Sequence, residues 1–110
     1  MLLRPISTDD AEAISRLLMV VGQPVRIRMI DVLERGAGKL TVQQLADELG
    51  VSVTDASQHL RYLRDAQIVR GRRRGRATCY QVIDRRPLDI YKRAIECVKE
   101  PNLEPAREAA

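Results

Sequence analysis

Apolar residues recur at helical spacing in five segments of the chain and cluster in two short runs between the fourth and the fifth. In the first segment Ala11, Ile14, Leu17, Leu18 and Val21 follow Ser7-Thr8-Asp9-Asp10, which offers an N-cap and an acidic first turn, and Gly22 stops the run. Pro24 suits a first helical position, and Val25, Ile27, Met29, Ile30, Val32 and Leu33 cover so much of the next helix that it is predicted to be buried on most sides, ending at Gly36-Ala37-Gly38. After an extended Lys39-Leu40, Thr41-Val42-Gln43-Gln44 has the form of a capping box for a short helix whose inner face is Val42, Leu45, Ala46 and Leu49, closed by Gly50. Ser52-Val53-Thr54-Asp55 supplies another cap, and Val53, Ala56, Leu60 and Leu63 predict the inward face of a fourth helix. The two short runs, Ile68 to Arg73 and Arg76 to Val82, flank Arg74-Gly75 and predict a hairpin, with the glycine at the tip. Pro87 opens a last helix with one stripe of Leu88, Tyr91, Ile95 and Val98 and another of Ile90, Ala94 and Cys97, ending at Pro101.

The expected fold is therefore mainly α with a small β-hairpin: about five helices and a two-stranded wing, in one domain over residues 1–100, with a disordered tail over 101–110. Within it, LTVQQLADELGVSVTDASQHLRYL presents two capped helices around a Gly-Val turn, which is what a helix-turn-helix requires. Opposite the apolar face of the second helix lie Thr54, Gln58, Arg61 and Asp65, flanked by Asp55 and Ser57. Gln can bond adenine bidentately and Arg guanine, while hydroxyls and backbone N–H groups at a helix start hold phosphates. A pair of ordinary core helices with a solvated outer face is the plainer alternative.

Charge changes that balance. The formal net charge is only +4, yet the sixteen residues Arg61 to Arg76 hold seven arginines against Asp65 alone, so this stretch carries +6 and the rest of the chain −2. A focused cationic patch on a slightly acidic body predicts docking onto a polyanion, with nucleic acid ahead of anionic membrane. Arg72, Arg73, Arg74 and Arg76 would lie on the wing, beside the backbone or minor groove next to the reading helix. Charged edge strands also block aggregation, but arginines this dense repel one another beyond what that protection requires.

Ser57-x-His59-Leu60-x-x-Leu63-Arg64, then Ile68-Val69, then Arg72-Arg73-x-Gly75-Arg76 and Tyr80, together with Pro24-Val25-Arg26-Ile27, resemble the ArsR/SmtB family of small bacterial winged-helix repressors. The likeness runs from about Leu17 to Val98. It implies a homodimer whose first and last helices pack across a two-fold axis, with paired reading helices over an inverted-repeat operator. Ile14, Leu17, Leu18, Leu88, Tyr91 and Ile95 are the expected interface, and the broad apolar faces of these helices independently predict more surface than a 110-residue monomer can bury. By the same carry-over, Thr54, Asp55, Ser57 and Gln58 fall where the family touches DNA.

The chain departs from the family at its effector sites. The region that often carries Cys-x-Cys reads Thr41-Val42-Gln43-Gln44, and the last helix, which often carries His and Asp ligands, has no histidine. A regulatory nickel, cobalt or zinc site drawn from Asp9, Asp10, Glu12, Asp89, Glu96 or Cys97 stays open as a nonstandard alternative that the spacing does not demand. Cys79 and Cys97 are expected to be ordinary semi-buried residues rather than a thiol sensor, and they lack the spacing of a zinc ribbon or redox motif. His59, the one histidine, fits a structural or DNA-contact role better than metal ligation. A partner protein that delivers the signal is a further alternative.

Other classes fit less well. No nucleophile–base pair, paired carboxylates or phosphate loop points to an enzyme. Three Tyr with no Phe or Trp argue against a single-strand binder built on stacking. No long apolar run or signal peptide is present, so a soluble cytoplasmic protein is expected. An activator of the same fold, or a winged helix used only for protein contacts, remains the rival reading.

Overall fold

The computed structural model describes residues 4–99. Five helices and three short strands run in the order α1 (Thr8–Val21), α2 (Pro24–Arg35), β1 (Leu40–Thr41), α3 (Val42–Leu49), α4 (Val53–Asp65), β2 (Val69–Arg74), β3 (Ala77–Val82) and α5 (Arg86–Lys99). The expected tail over 101–110 lies outside the described residues.

Local signals account for most boundaries. Ser7 Oγ accepts from the Asp10 N–H to cap α1, and Ser52 Oγ from the Asp55 N–H to cap α4. Thr41 and Gln44 form the reciprocal capping box of α3, and Gly50 closes that helix in the left-handed region at φ 69. Gln23 caps α2 through a bond to the Arg26 N–H. At α5 the helix starts at Arg86, one residue before Pro87, because Asp84 accepts from both the backbone and the side chain of Arg86. That pairing holds the Asp84 carboxyl at about 2, well below the usual range.

The core is a layer of helices closed by the sheet. Met29, Ile30 and Leu33 of α2, Leu45 and Leu49 of α3, Leu60 and Leu63 of α4, and Ile68, Val69 and Val82 around the hairpin form one buried cluster with Val21. α2 lies at its centre: of its twelve residues only Pro24, Arg28 and Arg35 are exposed. Two α2 arginines also serve the ends of other helices. Arg26 donates to the Val20 carbonyl in the last turn of α1, and Arg28 to the Leu49 carbonyl at the end of α3, at 3.2 and 3.3 Å. Helix C-termini carry carbonyls without intrahelical partners and a negative partial charge, so a guanidinium satisfies both.

Three details differ from the sequence expectation. Val53 is 37% exposed rather than inward; Ser52, Thr54 and Asp55 are exposed too, so α4 enters the core only at Ala56. The wing is two strands of a three-stranded antiparallel sheet ordered β1-β3-β2, in which Leu40 and Thr41 pair with Tyr80 and Cys79. Two paired residues are too few to leave an alternation in the sequence. Finally, the hairpin turn is Gly75-Arg76, not Arg74-Gly75: Arg74 pairs with Ala77, and Gly75 takes φ 65 at the first central position, as a II′ turn requires. Among the described residues no helix is long and apolar enough to cross a membrane.

Candidate nucleic-acid interface

α3 and α4 pack together through Leu45, Ala46, Leu49, Ala56, Leu60 and Leu63, which leaves the opposite side of α4 in solvent. Thr54, Asp55, Ser57, Gln58 and Arg61 are all exposed. None of their side chains makes a hydrogen bond or ion pair within the described residues, so each is free to meet an external partner. Gln58, Arg61, Tyr62 and Asp65 line an open groove of about 320 Å³ on this face.

From α4 the chain turns directly into the cationic strand. Gln67 adopts φ 61, and the Ile68 N–H returns to the Leu63 carbonyl, so only Ala66, Gln67 and Ile68 join helix to strand. β2 is an edge strand, with Arg70, Arg72, Arg73 and Arg74 exposed along it and Arg76 at the tip. Arg73 leans weakly on the Gly75 carbonyl at 3.5 Å. Among the described residues, none of the seven arginines from Arg61 to Arg76 forms an ion pair, whereas Arg4, Arg35, Arg85, Arg86 and Arg93 each have a carboxylate partner. The +6 of this stretch is thus left unneutralised on one continuous helix-and-hairpin unit.

Sequence reasoning missed Arg26. Its Nε donates to His59 Nδ1 at 3.1 Å, and its guanidinium carbon lies 4.1 Å from the centroid of the Tyr62 ring. His59 is therefore a structural acceptor, in the neutral tautomer with its proton on Nε2. Burial and the Arg26 charge lower its pKa from the ordinary value, with Asp55 acting in the opposite direction.

The expected dimer residues divide. Ile14, Leu17 and Leu18 of α1 and Ile95 of α5 are exposed, whereas Leu88 and Tyr91 are half-buried against the chain's own core. Tyr91 donates its hydroxyl to the Val21 carbonyl, and burial pushes its pKa up to about 12. The cysteines lie on different elements, Cys79 buried in β3 and Cys97 exposed on α5, so Cys97 is not semi-buried within one chain. Among the described residues no three His, Cys, Asp or Glu side chains converge to hold a metal ion. Among the described residues the acidic candidates and Cys97 do not form a donor set.

A family model described as a helix-turn-helix domain matches residues 21–72. The transcriptional repressor SmtB homolog of Synechocystis sp. is 30% identical over 95 residues, which cover 86% of this chain and 70% of that one. The chain belongs to the ArsR/SmtB family. The HTH-type transcriptional repressor SmtB of Mycobacterium tuberculosis is 35% identical over 80 residues, although the chain spans only 58% of its length. Among solved structures, NolR from Sinorhizobium fredii superposes with a TM-score of 0.73 at 26% identity, covering 88% of this chain and 97% of that one. This ArsR/SmtB chain thus shares the winged helix-turn-helix fold along almost its whole described length.

Proposed function

We propose that this chain is a homodimeric repressor that binds an inverted-repeat operator in double-stranded DNA and whose DNA affinity an effector modulates. In this reading Gln58 and Arg61 meet base edges from α4, Thr54, Asp55 and Ser57 sit at the groove entrance, and Arg72, Arg73, Arg74 and Arg76 hold backbone phosphates from the wing. One observation carries it: seven arginines without acidic partners among the described residues lie along the exposed helix and hairpin that form the family's reading unit. A winged helix used only for protein contacts gives no reason for such a charge. Ile14, Leu17, Leu18 and Ile95 would close the two-fold interface, with Leu88 and Tyr91 at its edge against the core.

The repressor role rests on relatives named as transcriptional repressors. An effector metal, if nickel, cobalt or zinc, would have to draw on both protomers, because the donors do not converge within the described residues of one. Mobility shifts on the chain's own promoter and on a random duplex test the proposal, each with and without those metals, an oxidant and sulfide. Selective binding to the promoter, weakened by one of these additions, is expected. Equal, salt-insensitive affinity for both duplexes would refute DNA reading, and promoter binding indifferent to every addition would point to a protein-borne signal.

A further inference from the structure

The C-terminal end of α1 is a junction between distant parts of the chain. Two of the carbonyls in its last turn are taken by side chains from elsewhere: Tyr91 of α5 donates to Val21 O, and Arg26 Nη1 donates to Val20 O. Arg26 turns its other edge to α4, bonding His59 Nδ1 and stacking on Tyr62. One planar side chain of α2 thus ties α1 to α4. α1 carries the exposed apolar face, and on α4 the residues Arg26 holds, His59 and Tyr62, alternate with the exposed Gln58 and Arg61. Fixing positions 59 and 62 fixes the direction in which 58 and 61 point, because all four belong to one rigid helical segment.

We propose, resting on the reading role assigned to α4, that Arg26 is a positioning residue that sets the rotation of α4 against the α1 dimer face, with neutral His59 as its required acceptor. The chemistry leaves little latitude. A guanidinium only donates, and Nδ1 accepts only while unprotonated. Lysine, a point charge on a flexible stem, cannot bond Val20 O and His59 together while lying flat on Tyr62. The charges acting on His59 are Arg26 from α2 and Asp55 from its own helix; α1 contributes only the Val20 carbonyl, reached through Arg26. Protonation would replace an accepted hydrogen bond with two adjoining cations.

The sign of the pH effect separates positioning from simple electrostatics. A new positive charge on a DNA-facing helix ordinarily strengthens binding to any duplex, whereas breaking a positioning bond weakens binding to the operator alone. His59 is the only histidine, so no other side chain ordinarily titrates between about pH 5 and 8.

The test uses the full chain and the operator found in its promoter, and reads the ratio of operator to random-duplex affinity at about pH 8 and about pH 5.5. The wild-type ratio should fall on acidification, and Arg26→Lys should lower it by about tenfold already at the higher pH, with random-duplex affinity unchanged. His59→Asn, which retains a non-titrating acceptor, should keep the ratio at both pH values, whereas His59→Ala should lose it at both. A folded Arg26→Lys variant with the wild-type ratio, or a wild-type ratio that is flat or rises on acidification, would overturn the proposal. If circular dichroism shows Arg26→Lys unfolded, the two His59 variants decide: equal ratios at the higher pH would overturn it. A wild type unable to distinguish operator from random DNA would instead remove the reading role of α4, and this inference with it.

Discussion

Gln58 and Arg61 have no partner within the described residues, so a base edge would not have to displace an existing bond. Gln58→Ala is expected to cost about 1–3 kcal/mol on the operator and far less on random DNA, since it removes a base-edge bond and no charge. Its salt slope should match the wild type, and an equal loss on all sequences would show that Gln58 does not read bases. His59 gives a second prediction, on folding. Its pKa is lowered in the folded chain, so the unfolded chain takes up the proton first; stability should fall as pH drops through about 6.5 and level off once the folded form is also protonated. Denaturant melts across that range should show the decline in the wild type and not in His59→Asn. The outward set on α4 was legible because helical spacing alone places it opposite Ala56, Leu60 and Leu63. Arg26 was not, because its partner His59 is 33 residues away in sequence.

Among the elements, the helices were legible wherever a cap spells out the first turn, as at Ser7, Thr41 and Ser52. α5 began a residue early because Asp84 holds the N–H and guanidinium of Arg86, ahead of the proline that marks the sequence. The hairpin shifted by one for a related reason. Its register is fixed at the other end, where Val69 pairs with Val82, and by the reversal at Gln67, a left-handed residue with no glycine to announce it. The shift puts Arg74 on β2 and Arg76 in the turn, with every wing arginine still exposed. Replacing Arg73 and Arg74 together with Ala should therefore weaken operator and random binding alike and flatten log K against log salt by up to about 0.9 for each phosphate no longer neutralised. The effect should shrink at high salt. An unchanged slope would exclude the wing from the phosphate backbone.

At the scale of the molecule, the helices at the two ends of the chain stand out by what they fail to bury. α1 buries only Val21 and α5 only Pro87, while Ile14, Leu17, Leu18, Met19, Ile95 and Val98 stay exposed. Exposed apolar surface of this kind, continuous on α1 where Ile14, Leu18 and Met19 line one open groove, marks an association face. In the proposed dimer a second copy of the chain would cover it, and a two-fold axis would set two α4 helices and two wings on one side of a duplex. The apolar stripes were legible in the sequence; the partial use of Leu88 and Tyr91 by the chain's own core was not, because periodicity does not say which neighbour covers a stripe. Footprinting of the operator decides whether two copies read DNA together. Two protected half-sites related by an inverted repeat, about one helical turn or roughly 10 base pairs apart centre to centre, are the predicted result. A single asymmetric half-site, protected at concentrations where the chain sediments as a monomer, would contradict it.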